Sequence, residues 1–436
     1  YEFTGTTLQR FPLPAGDVTE RGRRLDSLAQ ELASWDPANL FDGQAPTREL
    51  IDEAHREYTR IRNLMIAEQE ELDWAVYHLY GFTSTELSLP VGDVDGIELG
   101  TRPFEIALAR SGKETAWFER HHSHPTTELP EGLSPSQSTA YARRLELIDG
   151  DRKLRLLESP EFKRRWADDP WDKKVTDALT YWLLGRLESR DLWFVDGGDM
   201  PRPRTIRELA GVIETDPAYA DVLTALPLWA GKRARSTTDM LIALLKNEPV
   251  PFHKSLRYRK AGVRKRAEWE ATWQAQRLED AGEITAADVP VPPNYTSADM
   301  PAAVWKHRGK LDVPKERFIS YPGATRDGDG TDIIGWAGWN HLEQGLALMA
   351  LVHGALEADA APEDIAALLS GMEEQLFWIT MWHNDVDPRL GIRFGDYLQN
   401  QVIETANKID IPAEDLPKYA PTQRTRSRSP RTKKEN

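Results

Sequence analysis

The sequence predicts a mainly α-helical protein of the α+β class: a multi-helix scaffold with a small β-containing insert and a disordered basic tail. Three observations predict it. Residues 47–80 repeat apolar side chains at three- and four-residue steps, and shorter runs with that period recur at 171–190, 262–280, 339–358 and 363–382. Alternating apolar residues among Gly and Asp are confined to one stretch, 84–130. From residue 424 the chain carries six Lys/Arg against one Glu and almost nothing apolar.

In chain order, residues 1–14 read as the end of a β-rich element, with Leu8, Phe11 and Leu13 broken by Pro12 and Pro14. A helical segment, 15–83, follows. It opens with Leu25, Leu28 and Leu32 on one face and contains the long helix 47–80, with Thr47 as N-cap and Gly81 as stop. Its stripe runs through Leu50, Ala54, Tyr58, Ile61, Met65, Leu72, Val76 and Leu79. Residues 84–136 predict a mixed strand and loop insert around Val91, Val94, Ile97 and Leu99. Residues 137–288 return to helix. There 171–190 puts Val175, Leu179, Trp182 and Leu183 on one face, and 262–280 puts Val263, Ala267, Ala271 and Leu278 on one stripe. Six prolines between 290 and 322 predict an extended crossing, 289–325. A helical region, 326–411, is a pair turning at Ala361-Pro362, and 412–436 is the tail.

Lys and Arg number 55 against 70 Asp and Glu, a net charge of −15. That excludes a protein basic over its whole surface but leaves room for a local basic patch. There is no Cys, so a disulfide framework, a thiolate zinc site and a Cys nucleophile are excluded. No apolar run approaches the ~18 residues of a membrane span. A cytoplasmic protein without membrane contact is the expectation. The opening YEFTGTTLQRFPLP has neither a starting Met nor a signal-peptide layout, which reads as a cut within a longer protein.

The strongest binding signal is 254–266, where Lys254, Arg257, Arg259, Lys260, Arg264, Lys265 and Arg266 occur without an acid among them. On one helix Arg257, Lys260 and Arg264 would share a face suited to phosphates, with Tyr258 free to stack on a base or to pack. The bland reading is a solvated face balanced by Glu268 and Glu270. Other clusters read more simply as structure. His121, His122 and His124 lack a second set of ligands at zinc spacing. Asp327, Asp329 and Asp332 lack the Glu of a calcium loop. His383-Asn384-Asp385 fits a helix end. No metal site is expected. The Trp residues, 15 in all, suit packing between helices.

Longer runs add a resemblance. AEQEELDWAVYHLYGF (67–82), GIELGTRPFEIALAR (96–110), ETAWFERHHSHPTTELP (114–130), YRKAGVRKRAEWEATWQAQRLEDAG (258–282), VPVPPNYTSADM (289–300), KLDVPKERFISYPGA (310–324) and GWAGWNHLEQGLAL (335–348) resemble, in order, the C-terminal region of the PglX family. These are adenine-specific DNA methyltransferases of type 2 BREX phage-defence systems. GTTLQRFPLP (5–14) resembles the exit from the target-recognition domain of such enzymes, which implies that 1–14 is the end of that domain. The resemblance implies transfer of a methyl group from S-adenosylmethionine to the adenine amine, with double-stranded DNA and other BREX components as partners. That chemistry needs an Asn/Asp-Pro-Pro-Tyr/Phe loop and a Gly-rich turn after a strand. Pro292-Pro293 follows Val291, and Gly328-x-Gly330 follows no predicted strand. No catalytic, cofactor or metal residue is therefore assigned. The implied role is DNA engagement or scaffolding for an active centre elsewhere, with no methyl transfer by this chain alone. The alternative is a protein–protein docking module of a defence complex without DNA contact. A metal hydrolase built on the His clusters is a poorer third.

Overall fold

A computed structural model describes residues 5–113, 115–195, 198–309, 313–326 and 328–422. The fold is mainly α with one small sheet, as the sequence predicts. The chain divides into two compact units, Tyr1–Trp182 and Leu183–Asn436.

The first unit holds α1 (Gly5–Gln9), α2 (Thr19–Ser34), α3 (Pro37–Gly43), α4 (Arg48–Leu79), α5 (Pro103–Arg110), α6 (Trp117–Arg120), α7 (Pro135–Gly150) and α8 (Arg152–Leu157), and α9 (Trp171–Leu187) leads out of it. Helix α4 starts where the sequence places it, with Thr47 Oγ1 accepting from the Leu50 amide at 3.2 Å. It ends in a Schellman turn. Gly81 takes φ +70°, and the amides of Gly81 and Phe82 donate to His78 and Tyr77 carbonyls. Its apolar stripe packs with α2 around Leu28, Ile61, Met65 and Ile66.

The strands expected at 84–136 are replaced by coil, α5 and α6. Val94 and Ile97 still fill the core, but they lie against α4 in extended coil, and the Ile97 amide donates to the Asn63 carbonyl. Alternation here reports a segment with one buried side, and among the described residues no second strand pairs with it. Likewise, α1 occupies part of 1–14, where the end of a β-rich element was expected.

The most unusual feature of this unit is charge in its core. Glu71 and Arg144 are both fully buried and form a two-point ion pair at 2.5 and 2.8 Å. Lys163, also buried, reaches Glu70 (3.2 Å), Asp73 (2.7 Å) and Glu158 (2.8 Å). Arg102 holds Glu105 at 2.8 Å, and Trp117 Nε1 donates to the same carboxylate at 2.9 Å. Burial pushes the Glu158 carboxyl up to about 7 against the pull of Lys163. The acids of the run AEQEELDW thus serve the packing of α4 on α7 and its neighbours.

The second unit continues with α10 (Ile206–Thr215), α11 (Ala220–Ala230), α12 (Thr237–Leu245), α13 (Lys254–Arg257), α14 (Lys260–Asp280), α15 (Ala302–Trp305), α16 (His341–Glu357), α17 (Pro362–Trp382) and α18 (Phe394–Lys408). Its strands are β1 (Arg204–Thr205), β2 (Pro249–Pro251), β3 (Phe318–Ser320) and β4 (Ile333–Trp336), in the order β1-β4-β3-β2. The β1–β4 and β4–β3 pairs are antiparallel, with Phe318 opposite Trp336, and β3–β2 is parallel, with Val250 opposite Ile319. The sheet therefore draws on 137–288, 289–325 and 326–411 at once. The hairpin α16–α17 matches the expected pair. Asn340 and Glu343 form a capping box, Pro362 opens α17, and α18 packs on α17.

Helix α14 departs from its predicted stripe. Ala267, Ala271 and Leu278 are exposed, whereas Gly262 and Thr272 are buried. Polar and aromatic contacts hold it instead: Trp269 Nε1 donates to the Pro293 carbonyl at 2.8 Å, and Trp273 meets Trp382 edge to face. Gly262 sits so close to the Asp299 carbonyl that a Cβ would lie 2.2 Å from its oxygen. Within the expected tail, Ala413–Lys418 forms a 3-10 turn with Leu416 buried. The basic residues from 423 onward lie outside the described residues.

Candidate nucleic-acid interface

The basic run 254–266 is not one helix. His253 caps α13, its Nδ1 accepting from the Ser255 amide at 3.2 Å. Tyr258 and Arg259 are extended, and the Arg259 amide donates to the Asp299 carbonyl at 2.8 Å. Arg257 therefore leaves the face that carries Lys260 and Arg264.

Acids distant in sequence neutralise four of the seven cations. Arg257 pairs with Glu316. Lys265 pairs with Asp299 at 2.7 Å. Arg266 bridges Glu374 (2.8 Å) and Glu270 (2.9 Å). Lys254 donates its amide to both Glu374 oxygens at 3.1 and 3.2 Å, and its Nζ lies 3.9 Å from that carboxylate. Burial raises the Glu374 carboxyl, and Arg266 and Lys254 pull it back. Asp299 ends below the usual carboxylate range, since Lys265 and Thr296 outweigh its desolvation. Tyr258 packs on Tyr295, ring centroids 5.5 Å apart, and lies under Arg266.

Arg259, Lys260 and Arg264 remain exposed and, among the described residues, in no ion pair. Arg259 reaches only the Ala298 carbonyl, at 3.5 Å. All three stand at the start of α14, a helix of 21 residues whose N-cap, Arg259, supplies no side-chain acceptor. Lys260 and Arg264 line a shallow depression with Ser255, Tyr258 and Val263. A helix N-terminus flanked by uncompensated cations attracts phosphate through amide dipoles and net charge together. Glu316, Asp299 and Glu374 were invisible to a local reading, because each is 34 or more residues from the cation it holds.

The other clusters are structural. His121 is buried, stacked on Trp117 at 4.0 Å, with Nδ1 2.7 Å from the Trp117 carbonyl. Among the described residues no three His, Asp or Glu side chains are placed to hold a metal. Asp329 accepts from Thr205 (2.5 Å) and from the amide and hydroxyl of Thr331 (2.9 and 2.8 Å). Asp327 lies outside the described residues. The His383 amide closes α17, and Asn384 Oδ1 accepts from Gly395. A cavity of about 870 Å³ at the edge of the sheet is lined by Lys246, Tyr321 and Asp329, but the Asp329 carboxylate is already engaged.

Gly328 and Gly330 lead into β4 and do not follow a strand into a helix. Pro293, in coil, has its carbonyl bound to Trp269.

Residues 65–430 match a protein family described as a domain of unknown function, DUF7008, and the chain belongs to that family. It is also 38% identical over 444 residues to an adenine-specific methyltransferase, PglX, of Streptomyces coelicolor. That match covers 98% of this chain and 36% of the relative, in its C-terminal part. The chain thus spans about a third of the curated relative. No solved structure matches. Among the described residues no helix is long and apolar enough to cross a membrane.

Proposed function

We propose that this chain is the C-terminal part of a BREX-type adenine-specific DNA methyltransferase and that it engages duplex DNA in the cytoplasm for an active centre outside these residues. S-adenosylmethionine and methyl transfer belong to that centre. Likeness to PglX over 98% of the chain supports the parentage. The observation that carries DNA engagement is the trio Arg259, Lys260 and Arg264, exposed at the uncapped start of α14. The trio positions a phosphate and reads no base, so target choice belongs elsewhere.

The test is the variant Arg259→Gln/Lys260→Gln/Arg264→Gln titrated with duplex DNA at several salt concentrations. Each phosphate contact contributes roughly 0.9 to the log–log slope, so the variant should lose up to about 2.7. Salt-dependent binding in the wild type and an unchanged slope in the variant would remove the trio from the interface. No salt-dependent binding in the wild type would favour a docking module for other defence proteins, a reading that the net charge of −15 supports.

A further inference from the structure

We infer that the connector between α11 and α12 is a second phosphate-binding element, built from Lys232, Arg233 and Arg235. Several cations of the second unit are paired with acids. Arg186 holds Asp221, Arg190 holds Asp199, Arg317 holds Glu188 and Arg326 holds Glu208. Acids exceed bases in the chain by 70 to 55, so three neighbouring cations with no acid beside them stand out in the sequence. Lys232, Arg233 and Arg235 are all exposed and, among the described residues, form no ion pair. No acid stands between 222 and 238, and the next one, Asp239, is tied into the cap of α12 through Ser236 at 2.8 Å.

The connector also has a defined backbone path. Gly231 takes φ +54° and ψ −127°, a conformation that side-chain-bearing residues avoid, and it turns the chain sharply out of α11. A 3-10 turn follows, closed by the Ala234 amide on the Gly231 carbonyl at 3.0 Å. Ser236 then caps α12. Three like charges within four residues repel one another, and the turn keeps them close in the chain. An anionic partner relieves that repulsion, and two guanidiniums favour phosphate through two-point hydrogen bonding. The partner is the phosphodiester backbone of DNA. This inference rests on the DNA reading above and adds a second point of attachment to it.

The experiment compares four versions of this 436-residue chain on the same duplex across salt: wild type, the α14 trio variant, Lys232→Gln/Arg233→Gln/Arg235→Gln, and a control with equal charge loss, Lys306→Gln/Arg389→Gln/Lys408→Gln. All substituted positions in the connector and control are exposed, and circular dichroism checks that each variant folds. The connector variant should lose roughly 2 to 3 from the slope, since three contacts disappear, while the control keeps the wild-type slope. A connector variant that binds like the wild type, with the trio variant weakened, overturns this inference and leaves the proposed function standing. An equal loss in the control reduces the effect to net charge and also overturns it. Absence of salt-dependent binding in the wild type overturns both.

Discussion

Replacing Glu71 with Leu should destabilise the first unit far more than its place on an ordinary-looking helix suggests. Glu71 accepts from Arg144 Nη1 and Nη2 and from the Leu89 amide at 2.7 Å. Arg144 is fully buried, with Trp74 and Tyr141 rings at 5.3 and 5.2 Å, and its remaining acceptor is the Leu87 carbonyl at 2.7 Å. The single change strands a guanidinium in the core, which costs about 3–5 kcal/mol. Hydrogen exchange at the α4 amides reads this unit directly. At about 1.4 kcal/mol per tenfold, exchange should accelerate by roughly 100- to 4,000-fold. Adding Arg144→Met should recover much of the loss, because no charge is then left without its partner; only the Leu87 carbonyl and Leu89 amide stay unsatisfied. A single variant costing under about 1 kcal/mol, or a double variant worse than the single, would refute the reasoning.

Two further outcomes follow from the second unit. Burial, with Lys254 and Arg266 nearby, pulls His253 down to about 4. The unfolded chain takes up that proton near pH 6.5 and the folded chain resists it, so stability present above 6.5 is lost as pH falls toward 4. The full loss is on the order of 3 kcal/mol, partly offset by Glu374, 3.4 Å from Nε2, whose raised carboxyl works in the opposite sense. Urea melts at pH 7 and 4.5 should show a smaller difference for His253→Gln than for the wild type; equal differences would exclude His253 as the source. Gly371→Ala places a Cβ 2.2 Å from the buried Phe252 ring, so the ring must shift. That overpacking should cost about 1–3 kcal/mol and lower the melting temperature, and an unchanged melt would contradict the packing.

Helices with strong apolar periodicity were legible in the sequence. Thr47, Gly81 and Pro362 act at their helix ends as their chemistry requires. The sheet was not legible, because its strands are two to four residues long and one pair, Arg204 with Ile334, joins positions 130 apart. At 91–99 the alternation was real, but its buried side meets a helix. Helix α14 misled in another way: its inward contacts come from Trp269, Trp273 and charged side chains, so aliphatic spacing carried no information. The basic run was visible as composition only. Which cations face water depended on Glu316, Asp299 and Glu374, brought in by folding. The connector cations at 232–235 could have been read from their density alone, three in four positions without an acid.

The central claim is that this chain holds DNA by its phosphates. Its most direct test is the dissociation constant of the wild-type chain for one duplex at 50 and at 200 mM salt. With three to six phosphates neutralised by the α14 trio and the connector, affinity should fall between roughly 40-fold and roughly 2,000-fold over that interval. Affinity that changes less than about threefold would mean that not even one phosphate is held, and would contradict the account.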